Sequence, residues 1–160
     1  MINITLIAVG KLKEKYWTEA VAEYSKRLSA YCSLRIVEVK EARLAEHAGP
    51  AEEEAVKDTE GKEILRRIDK GDYVITLEIL GKELSSEQLA EKVAELGLAG
   101  YSSLVLVIGG SLGLSREVSA RADMKLSFSR MTFPHQMMRV ILLEQIYRAF
   151  KINRNEKYHK

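Results

Sequence analysis

The stretch "SLVLVIGGSLGLS", residues 103–115, decides the fold. After Ser103 its next five residues are apolar without alternation, so residues 103–108 read as a short strand buried on both faces. Two glycines follow at the strand's carboxyl end, and a short helix begins at Ser115 and runs to about residue 121. A buried strand that passes through a glycine turn into a helix is a unit of a parallel α/β sheet.

The same alternation extends in both directions. Residues 2–9 read as strand. Residues 14–31 read as helix, with Trp17, Ala20, Val21, Tyr24 and Leu28 on one face, and residues 34–39 as strand. A charged helix is expected over residues 52–69. "YVITLEIL", residues 73–80, is a β-branched run that suggests a second strand buried on both faces. Ser85 followed by Gln88 is a capping-box signature for a helix to about Leu96. A short strand at residues 125–128 and a long helix at 134–150 complete the series. The expected fold is therefore α/β, a mostly parallel sheet with helices on both faces. Residues 41–54, with Gly49 and Pro50, read as a mobile surface loop.

At 160 residues, 46% hydrophobic and 30% charged, the chain suits one domain over residues 1–160 with a short basic tail. Cys32 is the only cysteine, and His47, His135 and His159 lie far apart, so neither a disulfide framework nor a metal site is signalled. The opening "MINITLIAV" has no basic leader, and no apolar run reaches membrane-spanning length. A cytoplasmic setting without a membrane partner is expected. The net charge of +2 is unevenly spread: residues 121–160 hold nine Lys and Arg against three Asp and Glu, a balance of +6, which leaves −4 for residues 1–120. Such an asymmetry suits a polyanionic partner, though on charge alone a solvated tail is favoured.

The glycine loop fits neither common fingerprint. A P-loop needs a lysine after its last glycine, and a dinucleotide fold needs G-x-G-x-x-G after an early strand. Gly109 and Gly110 at a strand end still allow a ligand close to the backbone, which suits an adenosine-type ligand; a plain tight turn is equally compatible. In the helix at 134–150, Met138, Ile141, Leu142 and Ala149 form one stripe and Val140, Leu143, Tyr147 and Phe150 another. Only a narrow polar seam of Gln136, Arg139, Glu144, Gln145 and Arg148 is left. A helix this apolar needs cover on most sides, and a second copy of the chain is the expected cover, in preference to burial within one chain.

The strings "AVGKLKEKYW", "VITLEILGK", "VIGGSLGL", "LSFSRMTFPHQMMRVILLEQIYRAFKI" and the closing "YHK" occur in order over nearly the whole chain. Together they resemble the ribosomal RNA large-subunit methyltransferase H family, of the SPOUT class. The resemblance implies a C-terminal trefoil knot, a homodimer, and transfer of a methyl group from S-adenosylmethionine to the N3 ring nitrogen of a pseudouridine in large-subunit (23S) ribosomal RNA. S-adenosylhomocysteine is the implied product, and no metal takes part. The implied partner is ribosomal RNA in the assembled ribosome, with free RNA left open. Carried over one at a time, Leu77, Gly109, Phe128, Ser129, Arg130, Met131, Thr132 and Phe133 are the implied cofactor-binding residues. The tail then gains a role: Arg154, Lys157 and Lys160 as phosphate contacts, Tyr158 and His159 as the catalytic, substrate-positioning pair. The N3 proton must leave before or during transfer, and His159, with His135 as the second candidate, is of the right chemical class to accept it. The base itself is left unassigned. Two rivals explain less: a non-catalytic RNA-binding module leaves the glycine loop without a purpose, and a nicotinamide-dependent oxidoreductase lacks its fingerprint.

Overall fold

A computed structural model describes all of residues 1–160. The elements alternate without exception: β1 (Ile2–Val9), α1 (Lys15–Leu28), β2 (Cys32–Val39), α2 (Pro50–Leu65), β3 (Tyr73–Glu83), α3 (Ser86–Leu98), β4 (Ser103–Ile108), α4 (Arg116–Arg121), β5 (Met124–Ser127) and α5 (His135–Asn153). They form one five-stranded sheet in the order β2-β1-β4-β3-β5, and every pairing is parallel. In the centre Ile4 pairs with Leu34 on one side and Leu104 on the other.

Alternating side chains of the buried strands feed two apolar layers, as both-face burial requires. On one face Ile4, Leu6, Leu104 and Leu106 pack under Leu28 of α1, Leu89 of α3 and Leu142, Leu143 and Ile146 of α5. On the other, Ile7, Val9, Val105 and Val107 pack under Ile64 of α2 and Val118 of α4. The Ser85 hydroxyl accepts from the Gln88 N–H while the Gln88 side chain accepts from the Ser85 N–H, so the expected capping box starts α3.

The structure corrects several expectations. The helix α2 begins at Pro50, inside the stretch read as loop, because proline pre-sets the first-turn backbone and Glu52 and Glu53 complement the helix amino end. Both-face burial of β3 stops at Thr76; Ile79 and Leu80 are exposed and the strand continues to Glu83. Arg139, placed in the polar seam, is among the most buried side chains. It pairs with Glu38 at 2.7 Å and donates to the carbonyl of Gly10 at 2.7 Å, beyond the end of β1. Nor does α5 depend on a partner for most of its cover. Tyr147 and Phe150 pack against Tyr24 and Tyr31, and α1 and α3 flank the helix.

Candidate functional site

Three segments far apart in sequence meet beside the second half of β3 and beyond the carboxyl end of β4: residues 77–80, residues 108–114, and residues 126–138. They enclose an open cavity of about 430 Å³, within the range that holds a small ligand.

Each wall is set by local chemistry. The register of β3 against β5 shifts between Leu77 and Lys82, which frees the intervening residues from the ladder and turns them toward the cavity. Gly81 is required at that point. A Cβ there would lie 2.8 Å from the Lys125 carbonyl group, backbone that has no room to give. On the same wall Glu78 lines the cavity, and its carboxylate is held in a fixed pose by accepting from the hydroxyls of Thr76 at 2.6 Å and Ser119 at 2.8 Å. The third wall is held by the Ser129 hydroxyl, which accepts from the Met131 N–H at 3.0 Å, and by Ser127, which donates to the Ser129 carbonyl at 3.1 Å.

The glycine loop closes on itself through a bond from the Gly113 N–H to the Gly110 carbonyl at 3.0 Å, with Gly113 at φ 87°. A Cβ on Gly109 would lie 2.9 Å from Leu114 Cδ2 and 3.0 Å from the Gly113 carbonyl carbon. Its missing side chain thus makes room for the loop itself, which corrects the expectation that a ligand takes that space. What the loop offers a ligand is its donors. None of the turn and loop hydrogen bonds is donated by the N–H groups of Gly109, Ser111 or Leu112, while Gly110 faces Gly113 in an isolated antiparallel bridge.

Of the eight expected cofactor residues, Leu77, Gly109, Phe128, Ser129, Met131, Thr132 and Phe133 line the cavity and Arg130 does not. His135 also lines it. Glu78 was missed; a glutamate in an apolar strand gives no sequence signal until Thr76 and Ser119 are seen beside it.

The tail lies elsewhere in the same chain. The chain turns at Asn155, the one non-glycine residue with positive φ, and folds back along α5. The Tyr158 hydroxyl donates to Glu144 at 3.0 Å, and its ring packs on Tyr147. Burial, and then the bond to Glu144, push the phenol up to about 12, so near neutral pH Tyr158 is a donor and not a base. Arg148 has only N–H groups to offer His159 Nδ1 at 3.1 Å, so Nε2 carries the imidazole proton and donates to Glu87 at 2.7 Å. Neither ring nitrogen has a free lone pair in this arrangement. Glu144 lies six residues along α5 from Met138, the cavity residue nearest it on that helix, about 9 Å at the helical rise, and neither Tyr158 nor His159 lines the cavity. Arg154, Lys157 and Lys160 are exposed and form no ion pair; Arg154 lies 4.4 Å from the Tyr31 ring centroid. No cluster of His, Cys, Asp and Glu suited to a metal ion is present, and no helix is long and apolar enough to cross a membrane.

A parallel sheet with a glycine loop and a second C-terminal loop around one strand-end cavity defines a class, and comparison with known proteins names it. Residues 2–159 match a family model described as "Predicted SPOUT methyltransferase", so the chain belongs to the SPOUT methyltransferase family and is an enzyme of methyl transfer. Curated relatives named ribosomal RNA large subunit methyltransferase H are 59% identical in Clostridium novyi, 58% in Bifidobacterium adolescentis and 57% in Clostridioides difficile. Each is matched over 99% of this chain and 100% of the relative. Among solved structures, a "probable methylase family protein" from Haemophilus influenzae superposes with a TM-score of 0.52 at 16% identity, over 99% of this chain and 70% of that one, a likeness of fold alone.

Proposed function

We propose that the chain, as one domain over residues 1–160, methylates N3 of a pseudouridine in large-subunit ribosomal RNA with S-adenosylmethionine as donor. We further propose that it works in the cytoplasm as a homodimer on the assembled ribosome, and that its C-terminal segment forms a trefoil knot. The observation that carries this reading is the strand-end cavity, whose walls hold free backbone donors and a fixed carboxylate in a chain of this family. The residues fit the donor. Leu77, Phe128 and Met138 offer apolar cover to a purine, the glycine-loop N–H groups suit its ring nitrogens or a carboxylate, and Glu78 suits a ribose or amino group. When bound, the sulfonium supplies an electrophilic methyl group. The chain's part is to hold N3 in line with it and exclude water while the N3 proton leaves. Thr132 and His135, at the cavity wall, are placed to orient the nucleoside.

Support for a second subunit lies at the cavity mouth, where Leu80 is 99% and Met131 74% exposed beside Ile79 and Phe133. Large apolar side chains grouped around a site suit a covering partner. Calorimetry with S-adenosylmethionine, S-adenosylhomocysteine and NAD tests the cofactor. Binding of the first two and not the third is expected, whereas NAD binding or none at all would overturn the reading. Mass spectrometry of ribosomal RNA from cells lacking the protein should show one methyl group missing from a pseudouridine.

A further inference from the structure

A second cavity, of about 320 Å³, shares Ser111 and Leu112 of the glycine loop with the first. Its apolar walls are Leu44, Val56 and Leu112, and the carboxylate of Glu60 faces it from α2. Glu60 is only 4% exposed and has no cation within ion-pairing distance. One carboxylate oxygen, Oε2, accepts from the Ala42 N–H at 3.0 Å. The other, Oε1, accepts no hydrogen bond in the chain. It is not sealed off either, since the only fully enclosed side-chain polar atom without a partner is Arg139 Nε. Oε1 lies against the glycine loop, 3.2 Å from where a Cβ on Gly110 would stand. A carboxylate kept this dry without a cation is costly in a purely structural role, and burial favours its neutral form against the pull of the Ala42 N–H.

On the reading that the substrate is RNA, we propose that this cavity receives a nucleobase bearing an exocyclic amino group, from a nucleotide neighbouring the methylated one. Glu60 Oε1 accepts the amino N–H. The aliphatic walls cover the faces of a base splayed out as single-stranded RNA allows, and exposed Arg43, also in the lining, is the cation for its phosphate. Adenine, cytosine and guanine all present such an amino group. Uracil has no exocyclic amino group, and its one Watson–Crick donor, N3–H, lies between two carbonyl oxygens whose lone pairs a carboxylate oxygen repels. Two cavities that share one loop suit two nucleotides close in sequence.

The test is titration of the full chain, saturated with S-adenosylhomocysteine so that the first cavity is filled, with AMP, CMP, GMP and UMP. Binding is followed through the amide resonances of Ala42 and Ser111. The three amino-bearing nucleotides should move these resonances and bind at least about tenfold more tightly than UMP, the scale of one missing hydrogen bond to a charged group. Glu60→Gln, which adds a donor at the same place, should erase that preference. Arg43→Gln should weaken all four alike and keep the order. Equal binding of UMP, no response at Ala42 and Ser111, or a preference that survives Glu60→Gln overturns the proposal. If Glu60→Gln does not fold, the wild-type order and Arg43→Gln decide. Failure of S-adenosylhomocysteine itself to bind would instead overturn the methyltransferase cofactor reading.

Discussion

Gly109 illustrates how a residue can shape a loop through the side chain it lacks. Because a Cβ there meets the Gly113 backbone and Leu114, even Gly109→Ala must push the loop outward and misplace the N–H donors of Gly109, Ser111 and Leu112. Overpacking of this kind costs about 1–3 kcal/mol. Thermal unfolding should register that loss, and calorimetry should show S-adenosylhomocysteine affinity reduced by about tenfold or more. A folded Gly109→Ala protein with wild-type affinity would refute the loop's role. At the other end of the sheet, burial pushes the Cys32 thiol up to about 11. Below pH 9 both folded and unfolded chains keep that proton. Between about 9 and 11 the unfolded chain releases it while the folded chain does not, so this group's contribution to stability falls as pH rises through that window. The fall should reach about 2 kcal/mol and should disappear from the difference between pH 9 and 11 in Cys32→Ala, measured by denaturant unfolding. Thiol reagents at pH 8 should leave the native protein unlabelled.

Among the elements, the tail makes the sharpest claim. It is fastened by Tyr158 to Glu144, by His159 between Arg148 and Glu87, and by Glu156 to Tyr31 and Lys151. None of these residues lines the cofactor cavity. Removing residues 155–160 should therefore leave S-adenosylmethionine binding intact while methyl transfer fails. The salt dependence of ribosome binding should become shallower by roughly 0.7 for each phosphate that the shortened chain no longer neutralises. Wild-type turnover by the truncated chain would reduce the tail to packing. The milder Tyr158→Phe should cost about 1 kcal/mol. How far such elements were legible depends on what set them. The strand β4 was read to the residue because its apolar run is bounded by polar and glycine neighbours, and the capping box of α3 is a local signal. Arg139 and Glu60 were not legible. Each stands at a helical position that looks solvated, and only the parallel topology, by bringing Glu38 and Gly10 to one and Gly110 to the other, buries them. The same holds for the end of β3, where pairing with β5 across Gly81 carries the strand past its apolar run. The cavity was foreseen through family resemblance, because no spacing in the sequence says that residues 77, 109 and 128 will meet.

For the molecule as a whole, the distance between cavity and tail within one chain bears on the proposed dimer. A tail held about 9 Å along α5 from the cavity cannot line it without leaving Glu144 and Glu87, whereas in the proposed dimer a partner's tail on an antiparallel α5 would lie close to it. Leu77→Trp fills the cavity in one protein, and loss of residues 155–160 disarms the other. Mixed, the two inactive proteins should regain up to about a quarter of wild-type activity, the share of sites with both parts intact after random subunit exchange. Exchange is verified by co-purification of differently tagged chains. An exchanging mixture that stays inactive would place the whole site within one chain.

The sheet order also governs how the protein comes into being. The interior strand β1 is made first, yet one of its two edges is filled only by β4, Asn3 against Ser103, 100 residues later. At a synthesis rate of about 5–20 residues per second that edge stays open for roughly 5–20 seconds. During that time "NITLIAV" is a bare apolar strand template, the kind on which other chains nucleate. The nascent chain is thus most exposed to aggregation before Ile108, the first residue of the larger cavity beyond β3, has been made.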